Sequence, residues 1–333
     1  MKVANGPTVL TTISLAIVAV LMFTARVSGQ GMDAHQHMNH MTPGATAEAV
    51  SMDMQEWAKA RLAKSPRHQE WVKVKNGDRE VSAFVVYPEV SKKAPAVVVI
   101  HEIFGMSDWV QSLTDQLAEA GYIAIAPDLL SGMGPGGGGT AEIRAADSNG
   151  VGKAIQALPP DQITADLNAI AAYVTGLPSA NGKLAVGGFC WGGTQTFRYA
   201  TNNPKLKAAF VFYGSAPANP DQTIDKVQLA RIKARVYGFY AGNDMRINAT
   251  LPKTIEAMKE LKKKYEPVTY EGAGHGFMRA GESPPPEPPT VKGGPEEEAK
   301  AMEAHQKALT TYKANQKARA EAWVRWKKLL AGV

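Results

Sequence analysis

The 333-residue chain has one cysteine, Cys190, and its neighbours give that thiol its meaning. It sits in Gly187-Gly188-Phe189-Cys190-Trp191-Gly192-Gly193, which contains the pattern Gly-x-Cys-x-Gly. Lys183 to Gly187 before it reads as a strand, and Gly192 to Ala200 after it as a helix. A chain that turns sharply from strand to helix needs small residues beside the turning position, because larger side chains would clash there. The turn raises its central side chain at the carboxyl end of the strand, beside a helix N-terminus whose partial positive charge favours a thiolate. Free cysteines are also often inert and buried. The strand-to-helix context argues for a nucleophile instead.

A thiol nucleophile needs a base, and the base needs an acid to orient it and to stabilise its protonated form. Asp244 follows the apolar stretch ARVYGFYAGN, on a loop at the carboxyl end of a strand. His275 follows the last strand, in Gly272-Ala273-Gly274-His275-Gly276-Phe277. Nucleophile, acid, histidine is the chain order of α/β-hydrolases. Asn243 is a poor substitute for Asp244, since an amide cannot stabilise an imidazolium by charge. In this architecture the oxyanion is held by the amide after the nucleophile and by one from an earlier strand–helix loop, here Trp191 and Ile103.

The elements that must position these groups are legible as alternating patterns. Met52 to Lys64 reads as a helix, and Glu70 to Lys75 and Arg79 to Tyr87 as strands joined through Asn76-Gly77. Ala94 to Ile100 and Tyr122 to Pro127 are continuous apolar runs of the kind buried parallel strands show. Lys207 to Tyr213, Ala234 to Tyr240 and Glu266 to Tyr270 read as further strands. Trp109 to Ala120, Asp161 to Thr175, Pro252 to Tyr265 and Glu297 to Leu330 read as helices. The alternation implies an α/β fold of the α/β-hydrolase type: a mostly parallel sheet flanked by helices, with an antiparallel N-terminal hairpin at one edge. Ser283 to Glu298 is a Pro/Glu-rich insertion that cannot pack as core. Trp323, Trp326 and Leu330 share one helical face and should dock on the domain. Met133 to Thr140 (MGPGGGGT) lacks the Lys-Ser/Thr of a phosphate loop and reads as a mobile loop near the site mouth.

The stretches VVVIHEIFG, Pro127-Asp128-Leu129, GFCWGG and AGHGFMR together resemble the dienelactone hydrolase (carboxymethylenebutenolidase) family, from about Glu70 to the C-terminus. The resemblance implies an α/β-hydrolase fold, no cofactor, and hydrolysis of an enol-lactone or related ester through an acyl-cysteine. It gives Glu102 a role beside the resting thiol, from which substrate binding would displace it. It also implies that Arg279 binds a substrate carboxylate. A second family arginine, expected soon after Pro-Asp-Leu, is unmatched: the chain has Leu130-Ser131-Gly132-Met133 there. That departure favours a different ester or thioester on the same fold. A non-catalytic binding or metal-handling protein on a hydrolase scaffold is the other alternative.

Composition bounds the partners. Apolar content of 44% and charged content of 20% are ordinary for a globular enzyme, and the net charge is +6. No basic stretch is interleaved with aromatics, which argues against nucleic acid and leaves a small-molecule lactone or ester as the expected partner. Lys2, the uncharged run Val9 to Phe23, Arg26 and the small residues Ser28-Gly29 make residues 1–29 a signal peptide for periplasmic or secreted protein. The run is about 15 residues, below the ~20 of a membrane span, so a membrane enters only if the segment stays uncleaved. Residues 30–50 read as a linker carrying His35, His37 and His40 with Met32, Met38 and Met41. His and Met suit copper, yet no spacing here imposes a geometry. The hydrolase domain spans 51–333. N-terminal sequencing of the exported protein should find a mature start near Gln30. An intact N-terminus on cytoplasmic protein would contradict the signal reading.

Overall fold

The computed structural model describes Met1, residues 55–291 and residues 293–333. The chain divides into two units, Met1–Asp33 and Ala34–Val333, and the architecture below is that of the second. The expected signal segment and His/Met linker lie outside the described residues, as do the first residues of the helix expected from Met52.

Eight strands form one sheet: β1 (Gln69–Asn76), β2 (Arg79–Val86), β3 (Ala94–Ile100), β4 (Ile123–Pro127), β5 (Ala180–Phe189), β6 (Ala208–Phe212), β7 (Arg235–Ala241) and β8 (Tyr265–Tyr270). Their spatial order is β1-β2-β4-β3-β5-β6-β7-β8. β1 pairs antiparallel with β2, and β2 with β4; the remaining neighbours are parallel. The sheet is therefore mostly parallel with an antiparallel edge hairpin, the α/β-hydrolase arrangement.

The two-residue period of a strand sends alternate side chains to opposite faces. Ala96, Val98 and Ile100 of β3 enter one core with Ile163, Leu167 and Ile170. Val97 and Val99 enter the other with Trp109, Leu113 and Trp326. Helices cover both faces: α1 (Glu56–Ala63), α2 (Asp108–Glu119), α3 (Thr140–Ala146), α4 (Gly150–Gln156), α5 (Pro160–Gly176), α6 (Trp191–Asn202), α7 (Lys226–Leu229), α8 (Met245–Asn248), α9 (Leu251–Glu260) and α10 (Pro295–Leu330). α2 begins where the Ser107 hydroxyl accepts the Val110 amide. None of the described helices is long and apolar enough to cross a membrane.

Three local departures from the sequence reading have physical causes. The hairpin turn is Gly77-Asp78, with Gly77 at φ +61° and Asn76 still paired to Arg79. Asn76 stays in the ladder because its amide and the Arg79 guanidinium both reach buried Asp166, at 2.7 and 3.0 Å. α9 ends at Glu260 instead of running to Tyr265. Lys262 adopts φ +53°, and the amides of Lys263 and Lys262 return to the carbonyls of Met258 and Lys259, a Schellman closure made without glycine. Pro295 and Glu296 to Glu298, expected in the insertion, form the first turn of α10, where proline and acidic residues suit a helix start.

α10 is more than a cover. Trp326 is fully buried, 4.8 Å edge-on to Phe212 and 5.8 Å from Phe189. A Cβ on Gly187 would come within 2.8 Å of the Trp326 ring, so the ring lies directly on β5. Trp326→Ala should cost about 3–5 kcal/mol, as large buried aromatics do on truncation. Urea unfolding checks this, and a loss under ~1 kcal/mol would contradict the packing.

Candidate active site

β5 ends at Phe189 and α6 begins at Trp191, leaving Cys190 alone to turn the chain. Its backbone lies at φ +56°, ψ −117°, a region that non-glycine residues rarely occupy. The glycines around it are required by close approach. A Cβ on Gly188 would fall 2.3 Å from the Gly192 carbonyl oxygen. One on Gly192 would fall 2.2 Å from the His101 carbonyl, and one on Gly193 2.4 Å from the Phe212 carbonyl. The Cys190 amide donates to the Phe212 carbonyl at 3.1 Å, which ties the turn to β6. The Cys190 residue is 8% exposed.

Asp244 and His275 come from the carboxyl ends of β7 and β8. His275 Nδ1 and Asp244 Oδ2 are 2.5 Å apart. Asp244 Oδ1 accepts the Ile247 amide at 3.3 Å, so the carboxylate also caps α8. Burial raises the Asp244 pKa, but the His275 hydrogen bond and charge outweigh it and hold the carboxyl below its ordinary range. For His275, burial is the largest effect and lowers the pKa. It is overcome by the charge of Cys190, the hydrogen bond to Asp244 and a hydrogen bond with Cys190, which raise it to about 10. The structure thus brings Cys190, His275 and Asp244 into one interacting set.

The loop carrying His275 is held by α10. The Gly274 amide donates to Asn315 Oδ1 at 2.8 Å. Past Arg279, Gln316 Nε2 donates to the Ala280 carbonyl at 3.3 Å and the Tyr312 hydroxyl to the Ser283 carbonyl at 2.9 Å. Both ends of the loop are therefore tied to one rigid helix.

Glu102 and Arg279 are together, but differently from expectation. Arg279 Nη1 donates to Glu102 Oε2 at 2.5 Å, with side chains 12% and 3% exposed. Among the described residues Glu102 makes no hydrogen bond to the Cys190 sulfur: its carboxylate is on the arginine, not on the thiol. Burial opposes the Arg279 charge, yet the charge of Glu102 and its hydrogen bond more than compensate and keep the guanidinium protonated. The guanidinium folds back over Gly276, where a Cβ would meet Nη2 at 2.4 Å, and lies 5.3 Å above the Phe104 ring.

Trp191 is the first residue of α6, and Ile103 follows Glu102 in the loop after β3. His101 joins these two segments. Its ring stacks on Trp191 with centroids 5.5 Å apart. Its Nδ1 lies 2.8 Å from the Glu102 carbonyl, and its Nε2 accepts the Leu129 amide at 3.4 Å. That pattern requires the neutral Nδ1–H form, and burial lowers the pKa accordingly.

Two other groups escaped the sequence reading. Tyr213 is fully buried at φ +39°, with its ring 4.9 Å from His275. Burial first, and then the charge of Glu102, raise its pKa well above 10, so the phenol stays neutral. Its only signal was a place at the carboxyl end of β6, where ligands of open α/β sheets collect. The second is Thr140, the last residue of the glycine loop, which the segments after β3 and β4 keep in place. Thr140 Oγ1 donates to Asp128 Oδ1 at 2.7 Å and accepts the Met106 amide at 3.1 Å. The far end of the loop expected to be mobile is thus anchored. Among the described residues no group of three or more His, Cys, Asp or Glu could hold a metal ion.

Known proteins agree with this architecture. The model of the dienelactone hydrolase family matches residues 81–333. A Methylorubrum extorquens protein provisionally named carboxymethylenebutenolidase is 34% identical over 213 residues, covering 62% of this chain and 71% of its own. A Salmonella typhi protein with the same provisional name is 34% identical over 203 residues, covering 60% and 73%. The crystal structure of a Klebsiella pneumoniae protein, provisionally titled a dienelactone hydrolase, superposes with a TM-score of 0.57 at 25% identity. That match covers 74% of this chain and 99% of the other. The chain belongs to the dienelactone hydrolase family, hydrolases of ester and lactone bonds.

Proposed function

We propose that this hydrolase opens a small lactone or ester through an acyl-cysteine on Cys190, with His275 and Asp244 completing the relay. The observation that carries the proposal is the coupling of Cys190, His275 and Asp244 at a strained strand-to-helix turn. Cys190 Sγ attacks the carbonyl carbon, and the Trp191 and Ile103 amides take up the oxyanion. The imidazolium of His275 then protonates the departing alkoxide.

The next step needs His275 as a base. Once the sulfur is acylated its charge is gone, and with it the first cause raising the His275 pKa. Burial then opposes only Asp244, so the ring, having given its proton to the leaving group, stays neutral and can take a proton from the attacking water. One residue can therefore serve as acid and then as base without moving.

A carboxylate-bearing substrate fits Arg279 only by competing with Glu102 for it. That competition links binding to the site: an anionic substrate would free Glu102 from the guanidinium. With no second arginine after Pro-Asp-Leu, the preference for anionic substrates should be weaker than a two-arginine site would give. The relatives' provisional name, carboxymethylenebutenolidase, supports a lactone acid as the first substrate class to assay. Export through a cleaved signal peptide over residues 1–29 remains part of the proposal, placing the reaction outside the cytoplasm.

Cys190→Ala should abolish hydrolysis of lactones and aryl esters while the unfolding midpoint stays near the wild-type value. Undiminished turnover in that variant would end the cysteine-nucleophile reading. The pH dependence supplies a second check. For an ester with an alkoxide leaving group, single-turnover acylation should fall as pH rises through about 10, where the imidazolium loses its proton. Asp244→Asn removes one cause of the raised pKa and should move that limb to lower pH. A limb that Asp244→Asn leaves in place would contradict the coupling. Arg279→Ala leaves Glu102 buried and unpaired, which should cost about 3–5 kcal/mol of stability. The double change Glu102→Gln, Arg279→Met should recover most of it. Assayed below its melting temperature, Arg279→Ala should raise KM for an anionic ester and barely change it for a neutral one of equal size. Equal effects on both would make Arg279 structural.

A further inference from the structure

The opposite end of the sheet carries a different chemistry. At the amino ends of β6, β7 and β8 lies a groove of about 470 Å³. Six exposed cations line it: Lys205, Lys207, Lys233, Arg235, Lys262 and Lys264. No acidic side chain lines it, and none of the six takes part in a salt bridge among the described residues. The register forces them together. Val236 pairs with Tyr265, so Arg235 and Lys264 stand side by side just ahead of that pair. Ala208 pairs with Arg235, so Lys207 adjoins it on the next strand. Neighbouring strands are only ~4.8 Å apart, and like charges at such positions repel.

Helix dipoles account for part of the pattern. Lys262 follows α9 and Lys205 follows α6, and cations are favoured at helix C-termini. That effect fades within the last turn, so it leaves Lys207, Arg235 and Lys264, at the strand starts, unexplained. Lys263 shows the alternative fate of a lysine here: its ammonium is consumed by the Ala230 and Ile232 carbonyls, at 2.6 and 2.9 Å. Among the described residues none of the six exposed cations has such a partner.

We propose that this groove is a binding site for a short, soluble polyanion built of phosphate or sulfate groups. Its concavity and size suit a few linked oxyanions. The apolar lining residues Leu206, Ile232 and Ala234 are buried, so nothing greasy projects to enter a lipid surface. No aromatic lines the groove, so it offers no platform for stacking nucleobases. Five of the six cations are lysines, which act as point charges and read charge density more than shape. Cys190 sits at the carboxyl end of β5, roughly 20 Å away at ~3.3 Å per strand residue, so the groove is separate from the hydrolytic site.

Titration calorimetry of the full protein at low salt, with phosphate, pyrophosphate and tripolyphosphate, tests the site. Affinity should rise with each added phosphate and fall steeply with salt. The variant Lys207→Glu, Arg235→Glu, Lys264→Glu should bind tripolyphosphate at least about tenfold more weakly. A control with the same charge reversal elsewhere, Lys59→Glu, Lys307→Glu, Lys313→Glu, should bind like wild type. Both should retain ester hydrolysis, and if the first does not, the milder pair Lys207→Gln, Lys264→Gln should still weaken binding. Absence of tripolyphosphate binding by wild type, or equal loss in the control, overturns the proposal. Binding to vesicles containing anionic lipid without binding to tripolyphosphate overturns it as well, in favour of a membrane surface.

Discussion

Cys190 holds its backbone at φ +56°, ψ −117°, and most of the chain around it is arranged to keep it there. Such a conformation costs on the order of 1–3 kcal/mol and persists only where neighbours over-determine it. Here they do. The Cys190 amide is bonded to Phe212, three glycines permit contacts that a single methyl would break, and the fully buried Trp326 presses on β5 from behind. The strain is met by the parallel β3–β5–β6 core, whose side chains are buried on both faces. The same turn presents the thiol at the carboxyl edge of the sheet, where the loops after β7 and β8 bring Asp244 and His275.

The electrostatics of the site follow from its burial. Four titratable groups, Glu102, Arg279, Tyr213 and His275, lie largely out of water around one sulfur, and none is tolerable there alone. Glu102 and Arg279 neutralise each other, Tyr213 stays a phenol, and His275 is held by Asp244 on one side and Cys190 on the other. A change of charge at any member is felt by the rest. In the proposed mechanism, acylation of the sulfur or arrival of an anionic substrate would be such a change, and a rigid site would thereby alter the proton affinity of its histidine between steps.

Much of this was legible in the residues. Ala94 to Ile100 appears with the boundaries its apolar run suggests, and the glycines of the elbow and the Asp-then-His order singled out the three residues that the structure brings together. Short elements were not legible: α3, α4, α7 and α8 are too brief to show a helical period. α9 was overextended because Lys262, not glycine, takes the left-handed position that ends it. Partnerships across the fold were also hidden. His101 gave no sign that it would bridge Trp191 to the Glu102 backbone, nor Asn315 that it would hold the amide beside His275 from 41 positions away. Glu102 was expected beside the thiol; its pairing with Arg279 depends on the fold of Gly276 at φ +80°, which no local pattern announces.

The central claim is that the carbonyl carbon becomes bonded to the Cys190 sulfur during turnover. Rapid acid quenching of the protein with a slowly hydrolysed aryl ester, followed by digestion and mass spectrometry, tests it most directly. An added acyl mass is expected on the peptide containing Cys190, accumulating with the burst of released phenol and lost at the rate of steady-state turnover. Turnover with the Cys190 peptide unmodified throughout, or an acyl group found on another residue, would contradict it.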